Sequence, residues 1–181
     1  MAALPRISEP PPGGWRYLIA LGSNMRHPQF GAPERVLGAA VATLAAQGVV
    51  IERVAPVMRS APVGPSWRRY ANGAAVVRSD LAPPDLLAML KHIEQVFGRR
   101  RGRRWGSRVI DLDIVLWDGG IWRSHKLCVP HIAYRSRDFV LRPALAVAAD
   151  WRDPITQCTI RHHHSRLTRR RPAPRGTRPS A

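Results

Sequence analysis

The sequence predicts an α+β fold with a ferredoxin-like split β-α-β core, in which an antiparallel sheet is flanked by helices lying mainly on one face. Three observations carry this expectation. Six periodic segments follow one another as strand, helix, strand, strand, helix, strand. Both helical segments repeat apolar residues at helical spacing and stop at a glycine. The last strand alternates apolar residues with aspartates, as a half-buried strand does.

Trp15 to Leu21 is largely apolar or aromatic and runs into Gly22, Ser23 and Asn24, which reads as a buried strand ending in a turn. Pro33 opens a helix with Leu37, Ala40, Val41 and Leu44 on one face, and Gly48 stands where a left-handed C-cap is wanted. Val49 to Arg59 reads as a second extended segment. The turn-rich stretch Ala61, Pro62, Val63, Gly64, Pro65 follows, and then a third strand, Tyr70 to Val77, expected to pair antiparallel with the second. The second helix begins near Pro84 with Asp85 in its first turn, carries Leu86, Leu90, Ile93 and Phe97, and stops at Gly98. In the strand from Val109 to Trp117, Ile110, Leu112, Ile114 and Leu116 are expected on one face and Asp111, Asp113 and Val115 on the other. A hairpin at Asp118, Gly119 and Gly120 and a helical region beyond Arg142 are additions to this core.

At 181 residues and 45% hydrophobic content the chain can bury one substantial core. Residues 1–14 read as a flexible N-terminal extension, 15–168 as one domain and 169–181 as a disordered basic tail. No long apolar run marks the N-terminus as a signal or anchor, so a soluble cytoplasmic protein is expected. Cys128 and Cys158 are too few and too far apart for a disulfide scaffold or a thiolate metal site. The net charge of +17 points to an anionic partner: nucleic acid, a membrane surface or a phosphorylated small molecule. Much of that charge lies in the run Arg99 to Arg108 and in the tail.

The chemistry concentrates at Asp111, Leu112, Asp113. Residues two apart on a strand point the same way and stand about 6 to 7 Å apart, close enough to hold Mg²⁺ beside a polyphosphate. An isolated Asp-X-Asp is more often a solvated pair, but here Arg99, Arg100, Arg101, Arg103, Arg104 and Arg108 stand immediately upstream. That density repels itself unless it is solvated or meets a polyanion such as triphosphate. Trp105 within the run offers a flat surface for a heterocycle, although a tryptophan is more often a packing residue.

The segment Arg104-Trp-Gly-Ser-Arg-Val-Ile-Asp-Leu-Asp-Ile114 resembles the signature of the 6-hydroxymethyl-7,8-dihydropterin pyrophosphokinases. Ala20 to Asn24, Tyr70 to Asn72, Ile93-Glu94 with Gly98-Arg99, Val129-Pro130-His131 and Arg137 to Leu141 resemble further segments of that family, in order. The similarity covers about residues 16 to 150. It implies transfer of pyrophosphate from ATP to the pterin hydroxymethyl oxygen, with AMP leaving, and two Mg²⁺ ions held by Asp111 and Asp113. Under this resemblance Arg101 and Arg108 are catalytic together with the aspartates. Leu87, Glu94, Arg99, Ile114, Lys126, His131 and Arg137 line ATP, and Ser60, Ala61, Val63, Gly64, Tyr70, Asn72, Trp105 and Phe139 form the pterin site. The expected partners are small molecules, ATP and a reduced pterin, with no membrane, nucleic-acid or obligatory protein partner.

The chain departs from the family pattern at Met25-Arg26-His27 after the first turn, and at Lys91, Ser107, Lys126, Cys128 and Ile132. His162, His163 and His164 fall outside the resemblance and read as a surface run. Two alternatives stand beside the enzyme. One is a basic nucleic-acid-binding module gripping phosphates with the arginine run and tail, against which the acidic pair argues. The other is a pterin-binding relative without catalysis, against which the presence of both aspartates and Arg108 argues.

Overall fold

The structure, a computed structural model, describes residues 9–60, 69–98 and 109–169. Its strands are β1 (Trp15–Ser23), β2 (Val50–Val54), β3 (Met58–Ser60), β4 (Tyr70–Ser79), β5 (Asp111–Trp117), β6 (Trp122–Arg123) and β7 (Cys128–Val129). Its helices are α1 (Pro33–Ala46), α2 (Pro83–Val96), α3 (Asp138–Ala148) and α4 (Ile160–Thr168). The main sheet runs β2-β4-β1-β5 with every pairing antiparallel, as a split β-α-β core requires, and β5 is an edge strand. The expected second extended segment is two strands, both paired with β4 and broken at Ala55-Pro56-Val57. Ala55 N–H still reaches Ala74 O at 2.8 Å, whereas Pro56 has no N–H to give.

Helices flank the sheet as expected, but they cover both of its faces rather than mainly one. On the first face, Tyr17, Ile19 and Leu21 of β1 and Ile110, Leu112 and Ile114 pack against Leu37, Ala40 and Leu44 of α1 and Leu86, Leu90 and Ile93 of α2. On the second, Leu18, Ala74 and Val76 pack against Tyr134, Val140, Leu141, Ala144 and Val147, with Ile160 of α4 behind them. Helix α3 starts four residues before Arg142. Its Pro143 removes one hydrogen bond without stopping the helix, since the rest of α3 is held by apolar burial.

The alternation expected along β5 holds only to Ile114. Ile19 stands opposite Ile114 and Leu18 opposite Leu116, so Val115 is the extra residue of a bulge. The bulge turns Leu116 to the α3 face with Val115 and returns Trp117 to the α1–α2 face. The turn after β5 also differs from a hairpin closing on β5, because β6 pairs with β7 instead. Gly119 is needed there, since a Cβ would lie 2.5–2.7 Å from ring atoms of Trp117.

The histidine run is not a simple surface run. His162 closes a capping box with Thr159 at the start of α4, and His163 is buried. His163 Nε2 lies 3.0 Å from Thr156 Oγ1 and 3.5 Å from Asp153 Oδ2. Asp153 is fully buried and accepts from Tyr134 Oη, Arg135 Nε and the backbone N–H groups of Ile155 and Thr156. Several arginines of this basic chain are likewise paired internally: Arg16 and Arg78 share Glu52, and Arg59 pairs with Glu34. Among the described residues no helix is long and apolar enough to cross a membrane.

Burial alone would raise the Asp153 carboxyl, but the hydrogen bonds from Arg135 and Tyr134 outweigh it and hold the group well below the usual carboxylate range. Asp153→Ala leaves Arg135 without its anion, and urea unfolding is expected to lose about 3–5 kcal/mol. His163 is held below the ordinary imidazole range, chiefly by burial, against the opposing pull of Asp153. The unfolded chain therefore takes up that proton first as pH falls below about 6.5, so the stability His163 contributes is present above that pH and lost below it. The urea midpoint is expected to be lower at pH 5.5 than at pH 7.5, with part of that fall gone in His163→Gln.

Candidate active site at the edge of the sheet

Among the described residues strand β5 has a sheet partner on one side only, so its outward N–H and C=O groups need partners from elsewhere. Helix α2 supplies them. Glu94 Oε1 accepts the Leu112 N–H at 2.8 Å, and Lys91 Nζ donates to Leu112 O at 2.8 Å. The two side chains are joined to each other at 2.6 Å, and Glu94 is fully buried. Further along the same edge, His131 N–H donates to Val115 O at 3.0 Å. The strand carrying Asp111 and Asp113 is thus fixed on its open side by two side chains and one backbone group.

Register places the aspartates. Asp111 stands opposite Gly22 of β1, which stands opposite Asn72 of β4, which stands opposite Met58 of β3. Residues directly across a sheet share a face, so Asn72 and Asp111 flank Gly22 about 10 Å apart, two strand spacings. A Cβ on Gly22 would lie 3.9 Å from Asn72 Oδ1, so the amide oxygen leans over the bare glycine. Asn72 Nδ2 donates to Ser60 Oγ at 2.9 Å, and Tyr70 lies two residues before it on the same face. Asp113 stands opposite Ala20 in the next row. Ala20 and Phe139 both pack at the margin of the core under α3. The polar row therefore continues the α3 face of the sheet beyond the start of that helix.

His131 and Arg137 approach from the segment before α3. Burial holds the His131 imidazole below its ordinary range, and Arg137 and Lys91 reinforce the shift while Asp113 and Asp111 oppose it. His131 Nδ1 accepts the Ala133 N–H at 3.2 Å, so the neutral ring carries its proton on Nε2 and can donate there. The Arg137 guanidinium carbon stands 5.8 Å from the centre of the Phe139 ring.

Of the residues expected from sequence, Ser60, Tyr70, Asn72, Asp111, Asp113, His131, Arg137 and Phe139 gather around this end of the sheet. Leu87 and Glu94 share an α2 stripe with Lys91, on the edge side of β5. The side chain of Ile114 is buried in the core beneath α1 and α2, on the face opposite the aspartates. Lys126 is exposed in the connection between β6 and β7. Ala61, Val63, Gly64, Arg99, Arg101, Trp105 and Arg108 lie outside the described residues. The contribution that residue types alone did not reveal is that of Lys91, which reaches from α2 to Asp113 Oδ1 at 3.3 Å. Its signal was the i, i+3 spacing to Glu94 on a helix packed beside an edge strand.

Residues 18–149 match the family model for 7,8-dihydro-6-hydroxymethylpterin-pyrophosphokinase. The chain belongs to this family. It is 40% identical over 144 residues to the 2-amino-4-hydroxy-6-hydroxymethyldihydropteridine pyrophosphokinase of Synechocystis, an alignment spanning 79% of this chain and 71% of that one. It is 39% identical over 140 residues to the protein of the same name from Pseudomonas aeruginosa, covering 77% and 84% of the two chains. The fold is also that of a solved Plasmodium falciparum HPPK-DHPS, with a TM-score of 0.65 at 12% identity. That match covers 84% of this chain but only 41% of the Plasmodium chain. In this pyrophosphokinase-family chain, then, the strand that carries Asp111 and Asp113 is also the edge strand that α2 clamps.

Removing the clamp has a measurable cost. Glu94→Ala leaves the Leu112 N–H without its acceptor and removes the buried carboxylate paired with the Lys91 ammonium, and chemical denaturation is expected to show a loss of about 3 kcal/mol or more. Glu94→Gln, which keeps an acceptor for Leu112, is expected to lose less.

Proposed function

We infer that the chain transfers the diphosphate of ATP to the hydroxymethyl oxygen of 6-hydroxymethyl-7,8-dihydropterin, a step of folate biosynthesis. Membership of the pyrophosphokinase family carries this reading. The reaction forms a bond from the hydroxymethyl oxygen to the β-phosphorus and breaks the bond from that phosphorus to the oxygen bridging to the α-phosphate. AMP departs with the bridging oxygen, and the hydroxymethyl proton is released. No covalent enzyme intermediate is required, so the protein's work is alignment and charge neutralisation.

The residues suit that division of labour. Asn72, fixed through Ser60 on the floor of the sheet, presents an amide to the edge of the pterin, and Phe139 and Tyr70 offer it aromatic surface. The ring then lies between Asn72 and the aspartates, with its hydroxymethyl arm toward Asp111 and Asp113. His131 Nε2 and Arg137 donate to phosphate oxygens. Asp111 and Asp113 are part-exposed carboxylates on one face, and no group of three or more His, Cys, Asp or Glu side chains able to hold a metal occurs among the described residues. Two carboxylates leave the remaining positions to water and phosphate oxygens, a donor set that fits Mg²⁺ rather than zinc or calcium. Magnesium held there supplies neutralisation of the charge that builds on the phosphate oxygens during transfer. Arg99, Arg101, Arg108 and Trp105 are assigned to the phosphates and the ring from the family resemblance.

The test is AMP release from ATP, Mg²⁺ and the reduced pterin, with pterin-free and EDTA controls. AMP is expected only when pterin and metal are both present. Asp113→Ala is expected to reduce turnover at least about 10²–10³-fold with little change in stability. Asn72→Ala is expected to raise KM for the pterin more than KM for ATP. Full activity in Asp113→Ala would overturn the metal assignment, and absence of both AMP and ADP would return the nucleic-acid-binding reading to the front.

A further inference from the structure

Lys91 is the charged side chain that joins the clamp on the edge strand to the acidic pair. Its ammonium meets three oxygens at once: Glu94 Oε1 at 2.6 Å, Leu112 O at 2.8 Å and Asp113 Oδ1 at 3.3 Å. The second contact caps the edge of β5, and the first ties the lysine to the glutamate that holds the Leu112 N–H. The third is different, because Asp113 points to the α3 face while α2 packs on the other. The lysine stem therefore passes around the outside of β5 to place its charge on a carboxylate of the opposite face. Lys91 and Asp113 are each about one-third exposed, so this ion pair lies at the boundary between clamp and solvent.

We propose that Lys91 is a built-in counter-cation for Asp113, a positioning residue that occupies this carboxylate in the ligand-free protein and that a divalent ion must displace or share. The inference rests on the reading of Asp113 as a metal ligand. The buried Glu94 and the Leu112 carbonyl hold the ammonium in place, so the pair is not a chance meeting of two long surface side chains. Two consequences follow from charge alone. With Lys91 in place Asp113 is already partly neutralised, which lowers the affinity of the free protein for divalent ions. An ion arriving on a polyphosphate, with its own negative charge to answer the ammonium, is disfavoured far less. The lysine thus favours loading of metal together with nucleotide over loading of metal alone.

The experiment is a Mn²⁺ titration of the full-length, nucleotide-free protein followed by electron paramagnetic resonance, with circular dichroism to verify folding. Lys91→Gln keeps a hydrogen-bond donor for Glu94 and Leu112 while removing the charge, and is expected to bind Mn²⁺ about five-fold more tightly, the effect of one part-exposed unit charge. Lys91→Arg is expected to stay near the parent value, and Asp113→Asn to lose the site. If Lys91→Gln folds poorly, the double variant Lys91→Gln/Glu94→Gln removes both charges of the clamp together and is expected to show a smaller tightening in the same direction, because the ammonium stands against Asp113 while the Glu94 charge lies behind it. Equal or weaker Mn²⁺ binding in the folded neutral variants, or no binding by any protein, overturns the inference. Loss of binding in Asp113→Asn without tightening in the Lys91 variants sinks the lysine role alone. Unchanged binding in Asp113→Asn sinks the metal reading and the lysine role with it.

Discussion

The contact on which the site depends is the pair of hydrogen bonds between α2 and the backbone N–H and C=O of Leu112. An edge strand presents unpaired backbone groups that attract water or a second chain, and both are incompatible with a fixed pair of carboxylates. Glu94 takes the N–H and Lys91 caps the C=O of Leu112, so the two peptide units that link Leu112 to Asp111 and Asp113 are held from outside while β1 pairs with the strand from inside. A buried carboxylate is costly unless it is paired and hydrogen-bonded, and Glu94 is both. The helix thereby sets the position of residues that face away from it.

The same sheet divides its labour by face. The α1–α2 side is closed by aliphatic side chains from both helices. The α3 side is apolar only where α3 covers it, and beyond the start of that helix the rows Asn72-Gly22-Asp111 and Ala74-Ala20-Asp113 run out into a polar floor. Gly22 and Ala20 keep that floor low. The bulge at Val115 separates the two regimes along β5, since it turns Leu116 into the α3 core just past the aspartates.

Much of this was legible in the sequence, for reasons that differ by residue. The order of elements, both helix stripes and the shared direction of Asp111 and Asp113 follow from periods of 3.6 and 2, which the chain displays plainly. The placement of Leu116 did not follow, because a bulge adds one residue without any local mark in the apolar pattern. A helical region beyond Arg142 was expected, but Pro143 inside α3 hides its first turn, and its covering of the second face leaves no trace in β4, where both faces are apolar in any case. His163 looked like one of three equivalent surface histidines, and only tertiary contact with Asp153 and Thr156 separates it from its neighbours. Lys91 stood out in sequence only as a departure from a family pattern. Its physical role needs the knowledge that β5 is an edge.

The central claim is that this floor aligns a pterin hydroxymethyl group with the β-phosphorus of ATP rather than with the γ-phosphorus. Phosphorus-31 NMR of the products formed from ATP and 6-hydroxymethyl-7,8-dihydropterin tests it most directly. The account predicts AMP and a pterin diphosphate ester in equal amounts. ADP with a pterin monophosphate ester would contradict it.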